Sequence, residues 1–100
     1  MIYNKLVRDK IPDIILARGV MPKTHIADET EYWQKLKEKL TEEVDEFKSD
    51  ESIAEIADIM EVINTICEHK GFDKAQIETL RAEKAKNRGG FKDRIILEES

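Results

Sequence analysis

Hydrophobic residues fall at helical spacing through the middle of this chain. Trp33, Leu36, Leu40, Val44 and Phe47 recur at three- and four-residue steps, which is the period of one helix face. Asp28 followed by Glu31 has the pattern of a capping box, and no Gly or Pro interrupts the stretch to about Lys48. A short polar break, residues 48–52, follows. Ser52 with Glu55 three residues later predicts a second helix, running to about Lys70 with Gly71 as its stop. Its apolar residues, Ile53, Ile56, Ala57, Ile59, Met60, Val62, Ile63, Ile66 and Cys67, cover more than half of the circumference. That coverage predicts burial on two sides. Asp73 and Gln76 open a third helix that ends near Asn87, before Gly89 and Gly90.

The ends are less periodic. Residues 1–11 mix apolar and basic positions and predict an extended or irregular arm. Pro12 suits the first position of a short helix, Asp13 to Arg18, with Gly19 ending it. Residues 20–27 form an extended connector broken by Pro22. Residues 91–97 are expected to be extended, with Ile95, Ile96 and Leu97 packed on a neighbouring element. The chain is thus expected to be a single all-α domain over residues 1–100, an antiparallel helical hairpin plus a third helix with irregular ends. The two buried sides of the second long helix call for a partner surface, so the bundle is expected to be completed by oligomerisation, as a homodimer or homotetramer.

Composition narrows the function classes. Hydrophobic residues are 40% and charged residues 39%, which is enough apolar material to exclude a disordered chain. A net charge of −5 argues against a general nucleic-acid binder. No apolar run is long enough for a membrane span, and the N-terminus has no apolar signal core. The single cysteine, Cys67, excludes an internal disulfide and a cysteine-based zinc site, and fits a reducing, cytoplasmic location. Charge is segregated along the chain. Residues 1–24 carry five bases against two acids, residues 25–69 four bases against fourteen acids, and residues 70–100 eight bases against six acids.

The acidic middle contains an ordered constellation. Glu43 and Glu46 project from one side of the first long helix, and Glu55 and Asp58 from one side of the second. Both pairs lie near the short break, so four carboxylates are expected to meet where the helices adjoin. Glu43 also occupies a seam position, because Leu36, Leu40, Glu43 and Phe47 follow four-, three- and four-residue steps. An unpaired carboxylate there costs several kcal/mol. Lys35, Lys39 and Lys48 are not spaced to neutralise four acids, whereas a divalent cation would do so directly. An all-oxygen site favours Mg²⁺, with Mn²⁺ as the alternative, and the absence of Glu-x-x-His argues against a di-iron bundle. A solvated acidic face is the competing explanation, and Glu38, Asp45, Glu51 and Glu61 are assigned to it.

Glu42-Glu43-Val44-Asp45-Glu46 followed by Glu55-Ile56-Ala57-Asp58 resembles the EExxE…ExxD signature of the all-α nucleoside triphosphate pyrophosphohydrolases. That superfamily includes the MazG-like enzymes and phosphoribosyl-ATP pyrophosphohydrolase. The opening from Tyr3 to Pro12 and the tail from Lys84 to Phe91 resemble a small phosphoribosyl-ATP pyrophosphohydrolase-like branch. The eight residues between Glu46 and Glu55 are fewer than is usual in MazG-like proteins, which makes the hairpin tight and alters the pocket near its turn. The resemblance implies hydrolysis between the α- and β-phosphates of a nucleotide. It implies Mg²⁺ on Glu43, Glu46, Glu55 and Asp58, and a role for Glu42 in orienting the attacking water. The expected function is therefore Mg²⁺-dependent pyrophosphohydrolysis in a housekeeping role. The alternatives are the phosphoribosyl-ATP enzyme of histidine biosynthesis, or a non-catalytic helical module whose acidic face binds a basic protein.

A triphosphate substrate needs cations of its own. Lys84 and Arg88 share a helix face, and their spacing resembles the Lys-x-x-x-Arg phosphate-contacting pattern of the MazG-like group; they would equally complement a helix C-terminus. Lys5, Arg8 and Lys10 form a second candidate set, on resemblance. Trp33 is a candidate for stacking on a base, although its spacing with Leu36 and Leu40 fits a core stripe better. Asn64 is a candidate for a sugar or base contact, or for a bond to neighbouring backbone. His25 and His69 lie outside the carboxylate constellation.

Overall fold

The computed structural model describes residues 3–100. Among these residues it is all-helical, with α1 (Ile11–Ala17), α2 (Glu29–Ser49), α3 (Ile53–Lys70) and α4 (Lys74–Arg88) and no strand. Of the arm expected over residues 1–11, Met1 and Ile2 lie outside the described residues. The chain divides into two compact units, Met1–Ile66 and Cys67–Ser100, with the boundary inside α3.

In the first unit, the helix starts follow local chemistry. Pro12 sits in the first turn of α1, which begins two residues before the predicted Asp13 and ends at Ala17, one before the predicted Arg18. The Asp28 side chain accepts a hydrogen bond from the Glu31 backbone N–H at 2.8 Å, satisfying an N-terminal donor of α2. Glu31 does not complete a reciprocal box; its carboxylate meets His25 Nε2 at 2.8 Å. α2 then runs for 21 residues and stops at Asp50, whose backbone is extended.

The start of α3 corrects an expectation. Ser52 Oγ is buried without a hydrogen-bond partner, so the Ser52–Glu55 capping box is not formed. Glu55 belongs instead to a carboxylate cluster with Glu43, Glu46 and Asp58. The Ser52 backbone N–H, which a capping box would direct to Glu55, donates instead to the Asp50 carbonyl at 2.7 Å.

The core is thin. Leu36 is 1% exposed, and Val62 and Cys67 are the other buried apolar residues among those described. Burial of α3 on two sides is not realised among the described residues. Ile56, Met60 and Ile63, at four- and three-residue steps along one face, are solvent-exposed.

In the second unit, α3 closes in a Schellman arrangement. The Phe72 N–H donates to the Cys67 carbonyl at 2.9 Å, and the Gly71 N–H to the Glu68 carbonyl at 3.4 Å. Gly71 adopts φ +69, which an L side chain rarely does. The Asp73 carboxylate caps α4 by accepting from the Ala75 N–H at 2.9 Å. Every residue from Gly71 onward is exposed. The packing expected of Ile95, Ile96 and Leu97 is therefore not formed among the described residues. A turn at residues 91–94, closed by the Arg94 N–H to the Phe91 carbonyl at 3.3 Å, leads into a segment with no strand to pair with.

Leu36 is the most enclosed side chain of the first unit. Leu36→Ala is expected to lower unfolding stability by about 2–5 kcal/mol, measured by urea denaturation.

Candidate metal centre

α2 and α3 each bring two carboxylates to one place. Glu43 and Glu46 come from the last two turns of α2, and Glu55 and Asp58 from the first two turns of α3. The intervening link is only residues 50–52. One oxygen from each of the four lies within 4.8 Å of the others. The spacing of these acids in the sequence is therefore realised as a convergence in space.

Glu43 decides the character of the cluster. It is 6% exposed and is the sole buried charged residue among those described. It takes the seam position that the three- and four-residue steps of Leu36, Leu40 and Phe47 reserve for an apolar side chain. Lys39, one turn earlier, reaches it at 3.2 Å, so part of the charge is met within α2. Glu43 Oε2 and Glu55 Oε2 are nevertheless buried with no hydrogen-bond partner. Two orphaned carboxylate oxygens beside two further carboxylates suit a hard, oxygen-preferring cation. Glu43, Glu46, Glu55 and Asp58 thus fit Mg²⁺ or Mn²⁺ by donor chemistry. Burial pushes the Glu43 carboxyl above its ordinary range. Lys39 opposes this, and neighbouring Glu46 adds to it.

Glu42 stands outside the four and behaves oppositely. Burial raises its carboxyl pKa, but the Lys5 hydrogen bond and the charges of Lys39 and Lys5 outweigh that, leaving it below the ordinary range. Lys5 Nζ lies 3.1 Å from Glu42 Oε1, and Lys39 Nζ lies 3.4 Å from Oε2. Arg8 Nη2 lies 2.9 Å from Asp58 Oδ1. These two arm contacts bridge 37 and 50 residues of sequence. Resemblance singles out Lys5 and Arg8, but no periodicity pairs them with particular acids. Lys39 reaches both Glu42 and Glu43, contacts that its three- and four-residue spacing to them makes legible in the sequence. No lysine or arginine pairs with Glu46 or Glu55 among the described residues. An open, acidic depression beside the end of α2 is lined by Glu38, Glu42, Asp45, Glu46, Asp50 and Glu55, among others.

The remaining candidates are not members of the four-carboxylate cluster. Lys10 is exposed at the start of α1. Trp33 is half-buried on α2, with Lys37 Nζ 5.4 Å from its ring centroid. It lies ten residues before Glu43, roughly 15 Å along the helix axis. Asn64 is half-buried on α3. Lys84 and Arg88 are exposed on the last turns of α4, in the second unit.

No family model matches the chain. An uncharacterized protein of Mycolicibacterium smegmatis is 44% identical over 45 residues, which is 45% of this chain and 46% of that protein. The chain thus matches less than half the length of that relative. No solved structure matches. Among the described residues, no helix is long and apolar enough to cross a membrane.

The raised Glu43 carboxyl has a pH consequence. The folded chain binds that proton more tightly than the unfolded chain, so its stabilising contribution is complete at acid pH. It is lost as pH rises through the folded-state value. In EDTA, the stability of Glu43→Gln is expected to improve relative to wild type between about pH 4 and pH 7. Paired urea denaturation curves across that range would show it; parallel pH dependences of the two proteins would contradict it.

Proposed function

We propose that this chain is a metal-dependent nucleotide pyrophosphohydrolase, with Glu43, Glu46, Glu55 and Asp58 holding Mg²⁺. The observation that carries this proposal is the buried Glu43 carboxylate, with Oε2 unpartnered, inside a four-carboxylate cluster. Its substrate class is a nucleoside triphosphate, cleaved to the monophosphate and pyrophosphate, as the EExxE…ExxD resemblance implies. Bound Mg²⁺ would neutralise charge on the phosphate oxygens and lower the pKa of a bound water.

The chain's own residues supply the rest. Glu42, kept ionised by Lys5 and Lys39, is suited to accept a hydrogen bond from the attacking water and fix its direction. The acidic depression repels a free polyphosphate, so substrate entry depends on cations. Lys5, Arg8 and Lys10 on the arm are the protein's candidates in the unit that carries the cluster. α2 and α3 are taken as an antiparallel hairpin, supported by the three-residue link and the meeting of carboxylates from their adjoining ends. A homodimer or homotetramer is supported by the exposed Ile56, Met60 and Ile63 face of α3. The lone, buried Cys67 suits a reducing, cytoplasmic setting.

Pyrophosphate release from a panel of nucleoside triphosphates, with Mg²⁺ or EDTA, tests the activity. Wild type is expected to need Mg²⁺, and Glu43→Gln to lose at least about 100-fold, more than is typical for an outer partner of a metal ligand. Mg²⁺ at a hundred times its dissociation constant should also stabilise wild type by about 2.7 kcal/mol. A helical module that only binds a basic protein would show neither effect. Release from phosphoribosyl-ATP alone would select the biosynthetic enzyme. Separately, Met60 is 64% exposed, and Met60→Lys is expected to shift sedimentation toward a smaller species. Unchanged sedimentation would remove this face from the assembly.

A further inference from the structure

The arm Tyr3–Lys10 is fastened to both helices that carry the carboxylates. Lys5 meets Glu42 on α2 at 3.1 Å, and three residues later Arg8 meets Asp58 on α3 at 2.9 Å. Asn4 precedes these contacts with φ +46, a left-handed conformation that asparagine tolerates better than most residues. Asp58 is one of the four carboxylates of the cluster, so the Arg8 guanidinium occupies a group that the proposed function assigns to a cation.

We infer that Arg8 exchanges partners: it holds Asp58 when no divalent cation is present, is displaced when one binds, and then serves the anionic substrate. This inference rests on the metal assignment above. It follows from the relative strength of the two arrangements. The Arg8 and Asp58 side chains are 58% and 39% exposed, and pairs in that setting are weak. Glu43 and Glu55, by contrast, keep buried oxygens without partners, which a divalent cation satisfies. The cation therefore wins Asp58. The released guanidinium stays tethered beside the site by the Lys5–Glu42 contact, which involves no member of the cluster. A planar guanidinium is well matched to phosphate oxygens. Binding is then ordered, with the cation first and the polyphosphate second, and the arm discourages an anion from entering a site that lacks its cation.

Mn²⁺ affinity, read by electron paramagnetic resonance without nucleotide, tests the competition. Arg8→Gln is expected to tighten Mn²⁺ binding about two- to fivefold, because it removes a weak exposed competitor. Arg8→Lys is expected to remain near wild type. In an Asp58→Asn background the gain should disappear, since the competition runs through that carboxylate. Unchanged or weakened Mn²⁺ binding in Arg8→Gln, or an equal gain in the Asp58→Asn background, would overturn the exchange while leaving the metal assignment intact. Failure of wild type to bind Mn²⁺ would overturn both. For the second half, inorganic pyrophosphate binding at saturating Mg²⁺ should weaken in Arg8→Gln, with no difference between the proteins in EDTA. Equal pyrophosphate affinity in Mg²⁺ would show that released Arg8 does not serve the anion.

Discussion

A carboxylate buried in the seam of α2 is the constraint around which the first unit is organised. Glu43 sits where helical periodicity calls for an apolar residue, and ionised groups in such positions are expensive unless compensated. Lys39 satisfies one oxygen, and Oε2 is left without a partner. Burial and Glu46 raise the Glu43 carboxyl, so the cation-free chain carries an electrostatic cost at neutral pH. A sequence selected for stability alone would have placed leucine at position 43, continuing the stripe of Leu36 and Leu40.

The compensating cations come from two distances in sequence. Lys39 is local, one helical turn from Glu43 and close enough to serve Glu42 as well. Lys5 and Arg8 are remote and arrive on an irregular arm. The local lysine is built into α2, whereas the Arg8–Asp58 contact is exposed and replaceable. That difference separates the charges that fix the resting structure from those suited to change partner during binding. It also accounts for the segregation of charge along the chain: the basic N-terminus supplies two of the contacts that the acidic middle needs.

Much of this was legible because helices write themselves at a fixed period. The three long helices lie within a few residues of where periodicity and caps put them; Asp28 caps α2 without the reciprocal Glu31 bond, and Gly71 stops α3. The convergence of Glu43, Glu46, Glu55 and Asp58 was legible for the same reason: three-residue spacing on two helices and a short link leave little freedom. What failed has equally physical causes. Ser52–Glu55 matches a capping pattern, but the same glutamate also completes the cluster, and a pattern cannot say which use prevails. The pairing of Arg8 with Asp58 has no period, since it joins an irregular segment to a helix 50 residues away. Packing of Ile95, Ile96 and Leu97 rests on apolarity alone, which states a preference for burial without supplying a partner.

The thin core and the acidic cluster bear on one another. With Leu36, Val62 and Cys67 as its buried apolar residues, the described chain has little hydrophobic stabilisation to set against a buried charge. Under the proposed function, the cation that assists the substrate also stabilises the fold, because it binds the assembled carboxylates and not the unfolded chain. Under the proposed assembly, the exposed Ile56, Met60 and Ile63 face adds a second reserve of stability. α3 carries both this face and two of the four carboxylates. Anything that orders α3 through either route therefore steadies Glu55 and Asp58, so assembly and cation affinity are expected to be thermodynamically linked and each to strengthen the other.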